Sequence, residues 1–139
     1  MSEAKYRVLA VNPGSTSTKF GVFGGEEMVR DWTVRHSDED LKPFAGKSVF
    51  AQFDYRHALV LDELSKAGIA PESFDAVVGR GGKLRPMESG TWQVNDAMLD
   101  ELRVAPCGEH ASNLGAFLAH AIAERAGAPA FIVDPISGQ

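Results

Sequence analysis

A single cysteine, Cys107, stands in 139 residues, so no internal disulfide can form. That scarcity suits a reducing cytoplasm, the compartment expected for this chain. Basic residues are also short: 14 Lys and Arg face 19 Asp and Glu, a formal charge of −5, with no basic cluster to neutralise a phosphate backbone. Nucleic acid is therefore not an expected partner. No apolar run approaches the ~20 residues that span a bilayer, and Met1–Lys5 opens no hydrophobic signal region, so no membrane partner is expected. Repeats and low-complexity tracts are missing too. What remains is an ordinary globular composition, 44% hydrophobic and 24% charged, at a length that suits one domain.

The most informative stretch is residues 8–19. Val8 to Val11 form a short apolar run, the mark of a buried strand, which enters the turn Asn12-Pro13-Gly14. Four consecutive hydroxyl side chains follow, Ser15, Thr16, Ser17 and Thr18, and then the cation Lys19. A strand, a tight turn, hydroxyls and a lysine suit a loop that wraps a phosphate. Gly14 admits close approach, and the amides and hydroxyls of Ser15 to Thr18 can donate to phosphoryl oxygens. Asn12 offers a neutral amide able to orient water or a metal-bound phosphate. The competing reading is a plain hairpin rich in Ser and Thr. A Walker A loop is excluded, because the chain after Lys19 reads Phe-Gly-Val-Phe, which is strand-like and not the start of a helix. No dinucleotide fingerprint follows a strand.

Along the chain, residues 6–12, 18–24 and 27–35 read as strands, the last two joined at Gly24-Gly25. Residues 36–47 read as a polar loop. Apolar residues Phe50, Phe53, Val60, Leu61 and Leu64 recur at helical spacing up to the stop at Gly68. Residues 74–79 form a buried strand ending at Arg80. Helices are expected from Asn95 through Leu102 and over 112–126, and a strand over 130–133 that stops at Asp134. An antiparallel opening followed by alternating helices and strands indicates an α/β domain, a mixed sheet flanked by helices. Asn12, Arg80 and Asp134 fall at strand C-termini, where open α/β sheets place ligands.

Arg80 leaves its strand between Gly79 and Gly81-Gly82, where a guanidinium fork can hold a carboxylate through two parallel bonds. The plain alternative is a surface arginine beside a glycine turn. Asp134 is placed to hold or orient Mg2+, a hard cation that prefers oxygen ligands, or else simply to open the turn at Pro135. Glu109-His110 is no zinc motif, because the residue four after His110 is Leu114. Ser112 and Asn113 read as helix-capping residues, and His36, His57 and His120 as structural or surface histidines.

Four islands carry a family resemblance: the loop at 11–19, the Gly-Arg-Gly-Gly of 79–82, Gly108–Gly115, and Val133-Asp134-Pro135. In this order they resemble the acetokinase family of the acetate and sugar kinase, Hsp70 and actin superfamily, and within it the butyrate kinase branch. The resemblance implies an actin-like, ribonuclease H-like ATPase half fold. The implied activity is transfer of the ATP γ-phosphoryl group to butyrate or a similar short-chain acid, with Mg2+ as the metal. It implies that Arg80 binds the carboxylate and is catalytic, that Asp134 is catalytic beside the metal, and that His110 and Asn113 border the acyl pocket. Asn12, Gly14 and Ser15 to Lys19 would contact the nucleotide phosphates, and Asn12 and Asp134 the metal. Family members are more than twice this length, so residues 1–139 are expected to be the N-terminal domain of a larger homo-oligomeric enzyme, lacking the second domain. A catalytically inactive ligand-binding or partner-binding domain of the same half fold is the alternative.

Overall fold

The computed structural model describes residues 6–25, 27–80, 91–94, 97–100 and 113–133, with backbone only at 80, 91, 92 and 133. Three antiparallel strands open it: β1 (Arg7–Pro13), β2 (Ser17–Gly24) and β3 (Glu27–Arg35). Strand β4 (Ala76–Arg80) runs parallel to β1, and β6 (Ala130–Val133) parallel to β4. A short edge strand, β5 (Thr91–Gln93), runs antiparallel to β6 and completes a six-stranded sheet in the order β3-β2-β1-β4-β6-β5. The mixed sheet matches the sequence expectation. The edge strand β5 was not legible, because three residues carry too little alternation to signal a strand.

Strand periodicity sorts the side chains into two faces. Leu9, Val11, Phe20, Val22 and Val77 share one face and are buried. Against it pack the helices α2 (Phe53–Lys66), through Val60 and Leu64, and α3 (Leu114–Ala126), through Leu118 and Ile122. Asn12 and Lys19 are cross-strand partners on the other face, both exposed.

Residues 36–47 differ from the expected loop. They hold a one-turn helix, α1 (Asp38–Leu41), and a 3-10 turn over Lys42–Phe44. A reciprocal cap creates the turn: the Ser37 hydroxyl accepts from the Asp40 amide, and the Asp40 carboxylate accepts from the Ser37 amide. These bonds hold the Asp40 carboxyl below its ordinary range.

Gly79 sets how closely α3 approaches the sheet. A Cβ there would lie 2.6 Å from the Gly115 carbonyl carbon, which is backbone and cannot swing aside. The contact brings the start of α3 against the C-terminal end of β4, next to the strand ends described below. Of the helix expected from Asn95 through Leu102, residues 97–100 are helical and the others lie outside the described residues.

Candidate functional site

Parallel pairing of β1 with β4 and of β4 with β6 carries their C-terminal ends to one edge of the sheet. Val11 pairs with Gly79, so Asn12 and Arg80 each follow a paired residue, and Arg80 in turn pairs with Val133. The loop from β1 to β2 lies at the same edge. Asp134 and His110 fall outside the described residues, as does Cys107. Asn113 stands at the N-cap position of α3 and is fully buried; its side chain makes no cap bond. Among the described residues no three His, Cys, Asp or Glu side chains gather as a metal site. The expected metal pair therefore reduces, in what is described, to the single amide oxygen of Asn12.

The loop itself is built with its carbonyls spoken for. Ser15 O accepts from Arg56 Nη2 at 3.4 Å. Thr16 O accepts from the His36 amide at 2.8 Å, and Ser17 O from the Gly14 amide at 2.7 Å and from Arg56 Nη1 at 3.1 Å. A trans peptide sets its N–H opposite its C=O, and no cis peptide is present. With the Ser15 carbonyl held by Arg56, the Thr16 amide of the same peptide points away from α2, where a loop N–H can serve an anion. Ser15 and Thr16 are exposed and Ser17 half-buried, so their hydroxyls share that outer surface.

Gly14 has no positive φ, and a Cβ there would make only ordinary contacts, the nearest at 3.5 Å to Ser17 O. The fold does not demand glycine at this position. The open space above it is what its missing side chain supplies.

Thr18 corrects the sequence expectation for the four hydroxyls. It alternates to the helix-covered face and is fully buried. Its Oγ1 lies 3.2 Å from Arg56 Nη1 and 2.8 Å from His36 Nε2, and His36 Nδ1 lies 3.1 Å from the Tyr55 hydroxyl. The threonine oxygen accepts from Arg56 Nη1 and is also bonded to His36 Nε2, and the imidazole links it onward to Tyr55. Thr18 thus supports the loop from beneath and offers no outward hydroxyl. Arg56, Tyr55 and Gln52 are contributions that the sequence reading missed; the available signal was a charged residue at a core position of the α2 stripe Phe53, Val60, Leu64.

Burial, aided by the nearby Arg56 cation, holds the His36 imidazole below its ordinary 6.5, against an upward pull from Asp40. The fold therefore keeps His36 neutral. As pH falls through about 6.5 the unfolded chain takes up a proton that the folded chain resists, so stability is whole above that pH and declines below it. His57, lowered by burial and then by Arg125 against Asp54, adds the same sign. The urea midpoint is expected to fall between about pH 7.5 and about pH 5.5, and His36→Gln to remove part of the fall. An unchanged fall in the variant would clear His36 of the effect.

No protein-family model matches this chain. Over 131 residues, 94% of its length, it is 47% identical to butyrate kinase 1 of Clostridium acetobutylicum, of which it spans only 36%, the N-terminal part. Acetate kinase from Entamoeba histolytica superposes with a TM-score of 0.57 at 14% identity, over 91% of this chain and 34% of that one. The Aquifex aeolicus member of the Ppx/GppA family gives a TM-score of 0.53 at 15% identity, over 94% of this chain and 53% of that one. At such identities the two structures speak for the fold alone, which is the actin-like, ribonuclease H-like ATPase class expected from the sequence.

Proposed function

We propose that this chain is the phosphate-loop domain of a short-chain carboxylate kinase that transfers the ATP γ-phosphoryl group to butyrate or a close analogue. The observation that carries the reading is the 47% identity to butyrate kinase 1 running through 94% of the chain. The loop geometry agrees with it: a Thr16 amide turned away from Arg56, exposed hydroxyls at Ser15 and Thr16, and Lys19 beside Asn12. In this reading Gly14 to Ser17 and Lys19 cradle phosphoryl oxygens, with Thr18 bracing the loop. Arg80 holds the acyl carboxylate, His110 and Asn113 border the acyl group, and Asn12 with Asp134 would hold Mg2+. Bound there, the cation would neutralise charge on the transferring phosphoryl group. Magnesium keeps several waters and needs few protein oxygens, so an amide and one carboxylate suit it.

Phosphoryl transfer depends on positioning and charge neutralisation from both sides of a cleft. The chain spans 36% of its relative, so the remaining groups are assigned to a second domain and the working enzyme to a cytoplasmic homo-oligomer. Incubated with ATP, Mg2+, butyrate and hydroxylamine, the 139-residue chain alone is expected to form no acyl hydroxamate above background. Grafted in place of the matching stretch of the Clostridium acetobutylicum enzyme, it should restore hydroxamate formation that depends on butyrate. A folded, soluble chimera without that activity, or robust turnover by the isolated chain, would overturn the reading.

A further inference from the structure

Among the described residues Arg56 is the one large charged side chain in the core, 0% exposed, on α2 directly beneath the loop. A guanidinium has five N–H donors, and here all are spent. Nε and Nη2 donate to Gln52 Oε1 at 3.0 and 2.8 Å. The other Nη2 hydrogen goes to Ser15 O at 3.4 Å, and the two on Nη1 to Ser17 O and Thr18 Oγ1 at 3.1 and 3.2 Å. Each of these acceptors is a neutral oxygen. Burial lowers the Arg56 pKa, but a guanidinium stays charged at any working pH.

Buried charges ordinarily pair with an opposite charge, because desolvation is costly otherwise. A purely packing role beneath the loop would be filled better by an apolar side chain of similar volume. Two features distinguish Arg56 from such filler. Its planar fork makes five bonds at once, to two carbonyls of one loop, to Thr18 and twice to Gln52, against the three donors of a lysine ammonium. Its charge also lies behind the amide of Thr16, on the buried side of the loop, where the field is weakly screened. Among the described residues no carboxylate bonds Arg56, and an anion in front of the loop would supply that counter-charge.

We infer that Arg56 is the positioning residue of the loop Gly14–Thr18, clamping the carbonyls of Ser15 and Ser17 and placing a fixed positive charge behind the Thr16 amide that meets the phosphoryl oxygens of the nucleotide. The inference rests on the proposed phosphate role of the loop. It adds a residue that need never touch the ligand.

The test uses the full 139-residue chain with Arg56→Lys, which keeps the charge and loses the fork, and Arg56→Met, which keeps the bulk and loses both. Amide exchange of a peptide over residues 12–19 is expected to speed up about tenfold or more in both variants, while a peptide over residues 115–126 of α3 stays within about twofold. Protection of the 12–19 peptide by MgATP should weaken in both variants, and about tenfold more in Arg56→Met than in Arg56→Lys. Unchanged exchange at 12–19, or acceleration shared equally by α3, would reduce Arg56 to a core residue. Equal MgATP affinity in the two variants would remove the charge from its role. If MgATP fails to protect even the unsubstituted loop while Arg56 still governs its exchange, the clamp stands and the phosphate role of the loop falls.

Discussion

In an enzyme built on this chain, Arg80→Ala is expected to raise the KM for the carboxylate about 100-fold or more and to move the KM for ATP less than about threefold. The fork would lose two charge-assisted bonds to the acyl carboxylate, each contributing roughly 1.5–3 kcal/mol. Tenfold in binding corresponds to about 1.4 kcal/mol, so even the lower end of that range gives about two decades. Arg80→Lys should recover little, because a point charge cannot reproduce two parallel bonds. Arg80 ends β4, between the ends of β1 and β6, and Gly79 beside it packs closely against Gly115 of α3. Steady-state kinetics with each substrate varied in turn decide the matter. Equal changes in both KM values, or none, would return Arg80 to the role of a surface residue beside a glycine turn.

The sheet is legible in the sequence because its strands obey simple alternation or short apolar runs. Leu9 and Val11 alternate inward on β1, and Phe20 and Val22 answer them on β2. The candidate loop is legible for a related reason, since Asn-Pro-Gly followed by hydroxyls is local chemistry. Besides the three-residue edge strand β5, two things escape such a reading. The α1 turn depends on Ser37 and Asp40 capping each other, and over so few residues no hydrophobic period can announce it. Arg56 and His36 belong to the core only because Thr18, 38 and 18 residues away in sequence, turns beneath the loop to meet them. Pattern alone assigns charged and titratable residues to the surface, and a buried polar network is the case where tertiary structure overrules that default. The gap in the apolar stripe of α2 at Arg56, one turn after Gln52, was the sole local hint.

Thr18→Val should be more harmful than Thr18→Ser, against what buried area alone would give. Valine keeps the β-branched shape that suits β2 and adds apolar surface, so by area it ought to be neutral or favourable. It also strips Arg56 Nη1 and His36 Nε2 of their shared partner, inside the protein, with no water to replace it. Each buried group left unsatisfied costs about 1–3 kcal/mol, and more when charged, so the expected loss is about 2–6 kcal/mol. Serine keeps the hydroxyl and loses one methyl, a loss of about 1 kcal/mol. The hydrogen-bond term therefore outweighs the apolar term, and the order of stability should be threonine, serine, valine. The loop should respond as well, because an Arg56 with a freed Nη1 hydrogen no longer has one fixed position under Ser15 and Ser17. Urea denaturation of the three chains measures the order directly. A valine variant as stable as the parent would mean that the network beneath the loop is not held together through the Thr18 hydroxyl.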